Sequence, residues 1–264
     1  MVEVAVNGTT LDVDVAGDGS PAFVFIHGIA CDRRSWQPQF ESLQGAHRCI
    51  NVDLRGRGAS KPVPPFDTSQ AAADVAAVVR AFDAAPAIVV GHSLGALIAL
   101  LVGARFADVV TGTVLVDAPL TSAASGGLEA LAQRVRARGV AAAFDPVIDS
   151  FFVESTPQAV REYIREVMLG CPPDVAAGMA ENAQVFEQEM PDLLRNADRK
   201  PLMAIWPTRP LGNPDRLREV TTFLRQEPVA NSGHFLQLEH PLVTTALLRA
   251  FVDDVQRDPR LTVG

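Results

Sequence analysis

The chain has 264 residues, of which 48% are hydrophobic and 20% charged, and its formal net charge at pH 7 is −8. This length allows one large domain, or a core with an inserted segment, and it is sufficient to bury a sizeable hydrophobic core. The negative charge and the lack of basic runs argue against a nucleic-acid partner, and no apolar run approaches the ~18 residues needed to span a bilayer.

Strands and helices alternate in the N-terminal part of the chain. Val2–Val6 and Leu11–Val15 flank the turn residues Asn7-Gly8 and predict an antiparallel hairpin. From Phe23 onward, short apolar runs alternate with helical stretches, which is typical of a mostly parallel sheet. The predicted strands here are Phe23–Ile26, Arg48–Asp53, Ala87–Val90 and Thr113–Val116, and the predicted helices are Ser69–Phe82 and Leu94–Phe106.

The alternation stops between Pro119 and about Lys200. A segment of this length without a convincing strand is too long for a crossover loop. It contains the helical patterns Leu128–Arg138, Ala159–Leu169 and Val175–Glu189, and Pro146, Pro157, Pro172, Pro173 and Pro191 indicate breaks. The sheet is predicted to resume with Pro201–Trp206 and Gln226–Ala230, before a final helix over Pro241–Asp254.

The pentapeptide Gly91-His92-Ser93-Leu94-Gly95 joins a predicted strand to a predicted helix. A serine at the tip of such a turn is strained and exposed above the sheet, next to a helix N-terminus. The flanking residues need to be glycine because side chains there would collide with the adjacent strand and helix. The five-residue pattern is weak by itself, but between a strand and a helix it predicts a nucleophile.

Four motifs resemble the α/β-hydrolase family, in that family's usual order and over nearly the whole chain. They are His27-Gly28, the turn from Asp53 to Ser60, the pentapeptide from Gly91 to Gly95, and Ser232-Gly233-His234. The resemblance implies an α/β fold with a mostly parallel eight-stranded sheet flanked by helices. It also implies a core of residues 1–118 and 200–264, with a helical cap, residues 119–199, inserted after the sixth strand.

Ser93 is the predicted nucleophile and His234 the predicted base. A serine hydroxyl is hardly ionised at neutral pH, so it needs a base within hydrogen-bonding reach. His234 follows a short strand and precedes the last helix, where the family has its catalytic histidine. His240 precedes a proline at a helix start and is interpreted as structural, and His92 is expected to point away from the hydroxyl. For Ser93, the alternative is a small residue in a tight turn.

The triad acid is less clear. The family most often carries it just after the seventh strand, but Trp206 is followed there by Pro207-Thr208-Arg209-Pro210, without a carboxylate. Asp117 ends the strand next to the serine strand, a position that some branches of the family use. Asp215 lies at a predicted helix start, where capping is its simpler role. We favour Asp117 over Asp215, the alternative being that Asp117 only caps the next turn.

The resemblance assigns the oxyanion hole to the main-chain N–H groups of Ile29 and Leu94, which need no particular side chain. His27 is interpreted as a structural anchor of the first loop. In the turn from Asp53 to Ser60, Asp53 and Arg55 are expected to bond the loop rather than react.

Aromatic side chains predict an apolar substrate pocket. Trp206, Phe151 and Phe152 are the predicted substrate-binding residues, and Tyr163 and Phe186 are weaker candidates. Aromatic residues at helical spacing more often serve packing, so each assignment has that alternative. Cys31 is expected either at the pocket mouth or as a small buried residue.

Together these features predict a serine hydrolase that acts on a small apolar carboxylic ester or lactone. The same residues also serve carbon–carbon bond hydrolases of ring-cleavage products, and a non-catalytic ligand-binding protein stays open because the usual acid position is vacant. We expect this hydrolase to be cofactor-independent. We also expect a small-molecule substrate and no membrane or nucleic-acid partner, and a homodimer stays open.

The cysteines and histidines indicate no metal site. Three cysteines without a C-x-x-C spacing and five scattered histidines favour neither a disulfide framework nor zinc binding. The N-terminal segment has no basic region followed by an apolar stretch, so no secretion signal is expected. We expect a cytoplasmic protein with reduced thiols.

Overall fold

The short apolar runs of the sequence form one sheet. The computed structural model describes the backbone of residues 1–120, 122–181 and 183–261, and their side chains except those at 122–126, 183–187 and 261. The strands are β1 (Val2–Val6), β2 (Thr9–Ala16), β3 (Ala22–Ile26), β4 (Cys49–Val52), β5 (Ala87–His92), β6 (Val110–Val116), β7 (Leu202–Trp206) and β8 (Arg225–Pro228).

The strand order across the sheet is β1-β2-β4-β3-β5-β6-β7-β8. β2 pairs antiparallel with both of its neighbours, and every other pair is parallel. Burial on both faces explains the continuously apolar sequences of the central strands. The predicted mostly parallel, eight-stranded α/β sheet is thereby confirmed.

Helices cover both faces of the sheet. Outside the long insertion they are α1 (Gln37–Leu43), α2 (Thr68–Ala81), α3 (Leu94–Arg105), α8 (Pro214–Val220), α9 (Leu236–Glu239) and α10 (Pro241–Arg257). α1 packs against α10 on one face, and α2 packs against α3 on the other. α3, the helix after the serine turn, is apolar almost all round because its residues from Leu94 to Gly103 are buried.

The insertion between β6 and β7 contains α4 (Ser122–Ile148), α5 (Gln158–Leu169), α6 (Pro173–Ala180) and α7 (Ala183–Ala197). No strand occurs in the described part of this segment. The single helix predicted over Val175–Glu189 is wrong: the chain leaves α6 at Glu181, whose ψ of 153° is extended. Pro146 and Pro191 lie inside α4 and α7 rather than between helices, so the loss of one main-chain donor does not end either helix.

The inserted helices share their apolar contacts with the core. α7 packs against α3, and one hydrophobic cluster contains both Leu100 of α3 and Leu193 of α7. α4 bends at Gly139, whose φ is 83°. The division into a core and a cap domain stays a prediction. No helix in the described ranges is long and apolar enough to cross a membrane.

The parallel strands bring the sequence motifs to one edge of the sheet. β3, β5 and β6 are adjacent, and the loop with His27, the turn with Ser93 and residue Asp117 follow their carboxyl ends. Ligands of open α/β sheets bind at this edge. His234 follows β8 and reaches the same edge through its loop.

Candidate active site

Ser93 forms the turn between β5 and α3, with φ of 54° and ψ of −123°. A left-handed φ costs a non-glycine residue on the order of 1–3 kcal/mol, and such strain concentrates at functional sites. A Cβ on Gly91 would lie 2.0 Å from the carbonyl oxygen of Gly95, and a Cβ on Gly95 would lie 2.4 Å from that of His27. The glycines are therefore required, and the turn places Ser93 at a helix N-terminus, which favours negative charge.

His234 and Asp117 are hydrogen-bonded, with 2.6 Å between Nδ1 and Oδ2. Asp117 is fully buried, and its Oδ1 accepts a second hydrogen bond from the Leu211 N–H at 2.8 Å. An ionised carboxylate can only accept, so the shared proton belongs to His234 Nδ1. The second ring nitrogen, Nε2, is then free to take a proton.

Asp215, the alternative acid, lies on α8. Its Oδ1 accepts from Arg218 at 2.8 Å, and its side chain is 87% exposed. It does not cap the helix, because the side chain of Asn213 does so by accepting from the Asp215 N–H. The structure thus brings Asp117 to His234 and leaves Asp215 in a surface ion pair. The catalytic role of Asp117 stays a prediction.

The loop after β3 runs beside the serine. A Cβ on Gly28 would lie 3.2 Å from Ser93 Cβ. The main-chain N–H groups of Ile29 and Leu94 donate to no other residue in the described part of the chain. Free main-chain donors next to a serine are suited to bind an oxyanion, and the assignment of these two to that role stays a prediction.

Arg57 holds this loop in place. Its buried guanidinium donates to the carbonyl oxygens of Ala30 and Cys31, each at 2.8 Å, and to that of Val167 on α5 at 2.9 Å. Ala30 has a φ of 56°, so the residue after Ile29 is in the strained left-handed region. Arg57 therefore stabilises the loop and ties it to the insertion. The sequence gives no sign of this role, because the acceptors are main-chain carbonyls.

Two buried histidines fix the main chain around the serine. His27 Nε2 accepts from the Leu54 N–H at 3.1 Å, and its Nδ1–H donates to the Gly28 carbonyl at 2.8 Å, as an anchor of the loop would. Burial lowers the pKa of His27 to about 4. His92 Nε2–H donates to the carbonyl oxygen of His234 at 2.8 Å, and burial lowers the pKa of His92 well below its usual value. Both rings are neutral at pH 7, and the role of His92 was not foreseen from the sequence.

A cavity of about 300 Å³ opens beside Ser93 and His234. Core and insertion both contribute to its mainly apolar wall, which includes Ile29, Leu128, Leu131, Phe144, Val147 and Met168. Ser93 and His234, both in the described part of the chain, are not hydrogen-bonded to each other. Such bonds are often long in ligand-free sites and tighten when substrate binds. The apolar wall suits a small apolar ligand.

Of the predicted substrate-binding residues, Phe151 lines this cavity, whereas Phe152 and Trp206 do not. The ring centroid of Phe151 is 4.8 Å from that of His234. Phe152 is buried, and the guanidinium carbon of Arg161 lies 5.0 Å from its ring centroid. Trp206 is also buried, and its indole N–H donates to Gln226 Oε1 at 2.7 Å. The prediction is corrected for these two residues, which serve packing.

The other residues considered for the substrate pocket are Tyr163, Phe186 and Cys31. Tyr163 lies outside the cavity, where its hydroxyl donates to Asp32 Oδ1 at 3.0 Å. The side chain of Phe186 lies outside the described residues. Cys31 lines the cavity and is buried, and burial raises the pKa of its thiol. A thiol with a raised pKa stays protonated and is a poor nucleophile.

Comparison with known proteins agrees with this architecture. Residues 23–247 match the model of the α/β-hydrolase family, and the chain belongs to this family. The 2-(acetamidomethylene)succinate hydrolase of Mesorhizobium japonicum is 26% identical over 95% of this chain and 94% of its own length. The predicted resemblance is thereby confirmed.

Solved structures share the fold. A thermophilic esterase from Thermogutta terrifontis superposes with a TM-score of 0.84 at 24% identity, covering 96% of this chain and 98% of its own. The enol-lactonase of Burkholderia xenovorans LB400 has a TM-score of 0.83 at 23% identity, covering 96% of this chain and all of its own. At these identities the likeness shows the fold alone.

Proposed function

We propose that this chain is a serine hydrolase that cleaves small, largely apolar carboxylic esters or lactones through an acyl-enzyme on Ser93. The hydrogen bond between His234 and Asp117, beside the cavity that Ser93 lines, is the observation that carries the proposal. It leaves His234 Nε2 as the free base. An esterase and an enol-lactonase have this fold, so the fold is compatible with ester and lactone substrates.

In the first half of the proposed reaction, Ser93 Oγ attacks the carbonyl carbon while His234 Nε2 takes its proton. Asp117 stabilises the resulting imidazolium, and the Ile29 and Leu94 N–H groups bind the oxyanion. The intermediate then collapses, the bond to the leaving oxygen breaks, and His234 returns the proton to that oxygen. An acyl ester on Ser93 remains.

In the second half, His234 Nε2 takes a proton from water as the water oxygen attacks the acyl carbon. Collapse breaks the bond to Ser93 Oγ, which regains its proton, and the carboxylic acid is released. For a lactone both products are parts of one open-chain hydroxy acid. The protein supplies positioning, charge stabilisation and a mainly apolar cavity.

The test combines active-site labelling with a substrate panel. We expect a fluorophosphonate to label the wild type on Ser93, and a panel of short-chain esters and lactones to be hydrolysed. Ser93→Ala should abolish labelling and lower kcat by about a millionfold.

The same panel should contain a vinylogous 1,5-diketone, the substrate type of carbon–carbon bond hydrolases. Cleavage of the diketone but not of any ester would replace the proposal with that chemistry. A wild type that neither reacts with the probe nor turns over any substrate would indicate a ligand-binding protein.

A further inference from the structure

Arg134 is a charged residue on the mainly apolar wall of the cavity. It lies on α4, where it follows Gly127, Leu128 and Leu131 on the stripe of helix that lines the cavity. The spacing of three and four residues keeps these side chains on one face. From Leu128 to Arg134 the helix axis advances by about 9 Å. The helix therefore presents apolar side chains to the cavity at Leu128 and Leu131 and a positively charged one at Arg134.

Charge is otherwise lacking on this wall. Among the described residues that line the cavity, Arg134 is the single Arg, Lys, Asp or Glu side chain. Its neighbour Arg136 is 3.0 Å from a Glu181 carboxylate oxygen and 3.6 Å from one of Asp174. Arg134 has no hydrogen bond or ion pair within the described ranges and is exposed. Its guanidinium is thus available to a ligand.

We propose that Arg134 binds a carboxylate of the substrate, remote from the bond that Ser93 attacks. This inference rests on the proposed function and narrows its substrate to an ester or lactone with an apolar body and a free carboxylate at one end. The planar guanidinium matches a carboxylate with two parallel hydrogen bonds. One cation balances the single charge of a carboxylate, whereas a phosphate dianion would keep an uncompensated charge.

The test uses two esters that differ at one terminus. p-Nitrophenyl pentanoate and mono-p-nitrophenyl glutarate have the same leaving group and acyl length, but a carboxylate replaces the terminal methyl group. The readout is the ratio of kcat/KM for the glutarate ester to that for the pentanoate ester. We expect Arg134→Gln to lower this ratio about 10- to 100-fold, mainly through the KM of the glutarate ester, since a hydrogen bond to a charged group is lost.

Arg138→Gln is the matched control. Arg138 lies on the same helix, is also exposed, and does not line the cavity, while its substitution makes the same change in net charge. This variant should keep the wild-type ratio. Arg134→Lys should give an intermediate ratio because it keeps the charge without the planar fork.

The outcomes separate this inference from the proposed function. Hydrolysis of the pentanoate ester with equal ratios in wild type and Arg134→Gln would overturn the carboxylate subsite alone. An equal drop in the ratio for Arg134→Gln and Arg138→Gln would also overturn it, because general attraction of anions would then be sufficient. Failure of the wild type to hydrolyse either ester, together with no labelling of Ser93, would overturn the proposed function and this inference with it.

Discussion

Asp117 and His234 are 117 residues apart in sequence and are joined by a hydrogen bond of 2.6 Å. Asp117 has a φ of 41°, so the chain turns sharply as soon as β6 ends. Because β6 lies between β5 and β7, this turn is adjacent to the serine turn on one side. On the other side, the segment after β7 contributes the Leu211 N–H to the second carboxylate oxygen. The segment after β7, where the family most often carries its acid, here holds the carboxylate of Asp117 in place.

Replacement of Asp117 should therefore stop turnover without unfolding the protein. Asp117→Asn is expected to lower kcat by about four orders of magnitude, because an amide that donates to Nδ1 leaves the proton on Nε2, the wrong nitrogen for a base. Steady-state kinetics with a p-nitrophenyl ester measures the effect. Asp215→Asn is the control, since its surface ion pair with Arg218 is worth at most about 1 kcal/mol. Wild-type turnover in Asp117→Asn would remove Asp117 from the mechanism.

Arg57 should act on the reaction through the loop that it holds. In Arg57→Lys the three N–H donors sit on a single nitrogen, whereas the guanidinium of Arg57 reaches its three carbonyl acceptors from two separate nitrogens. The loop with Ile29 is therefore expected to shift. We expect kcat to fall by about tenfold to a hundredfold, less than the loss of a whole oxyanion donor, with KM little changed. Kinetics on one ester and a thermal melt would measure both effects.

Arg55 provides the control for this variant, because it is buried in the same turn but bonds Asp74 and the carbonyls of Asn7 and Val63. Arg55→Lys should lower stability and leave the kcat of the folded protein near the wild-type value. Equal losses of kcat in the two variants would show that Arg57 acts only through stability.

Phe151 is expected to limit the size of the acyl group. Its ring lines the cavity beside His234, so Phe151→Leu should raise kcat/KM for bulky acyl esters relative to acetate by roughly tenfold. Phe152→Leu, next to it but outside the cavity, should cost about 1 kcal/mol of stability and leave the preference as it is. A series of p-nitrophenyl esters of increasing acyl size provides the measurement. The same preference in both variants would contradict the assignment.

Acid should destabilise the protein through His27. Folding lowers its pKa from 6.5 to about 4, so below pH 6.5 the unfolded chain takes up a proton that the folded protein does not. The contribution of neutral His27 to the free energy of unfolding is fully present above pH 6.5 and is lost as the pH falls toward 4. Between pH ~7.5 and ~5, the contribution of His27 to this loss of unfolding free energy is about 2 kcal/mol.

Urea denaturation of wild type and His27→Gln at the two pH values isolates this contribution. At pH ~7.5 the variant should have a lower free energy of unfolding than the wild type. On acidification to pH ~5 its free energy of unfolding should fall by about 2 kcal/mol less than that of the wild type. Equal losses in the two proteins would show that His27 is protonated as readily in the folded state as in the unfolded one.

Local patterns predicted the parts of the fold that local physics determines. The strands from Phe23 to Val116 follow from short apolar runs. The serine turn follows from Gly91 and Gly95, because no larger residue fits at either position. Helix ends in the insertion were predicted less well. The break at Glu181 and the continuity through Pro146 depend on packing between helices, which periodicity does not report.

The site was predictable where a side chain carries the chemistry, and less so where the main chain does. Asp117 and Asp215 are competing hypotheses for the acid that sequence spacing can rank but not separate, and only the folded chain shows that Asp117 contacts His234 whereas Asp215 does not. Arg57 and His92 bind carbonyl oxygens, which any residue supplies, so no pattern marks them. Phe151 and Phe152 are adjacent, and only the path of the chain determines which of them lines the cavity.

The His234 N–H donates to the carbonyl oxygen of Phe151 at 2.8 Å, and this bond belongs entirely to the main chain. Position 151 can therefore accept side chains of many sizes without loosening the histidine loop. Gly233 has no such freedom, because a Cβ there would lie 2.4 Å from the same oxygen. If this protein acquires new substrates, in nature or in a mutant library, we expect substitutions at position 151 to be tolerated and substitutions at position 233 to be excluded.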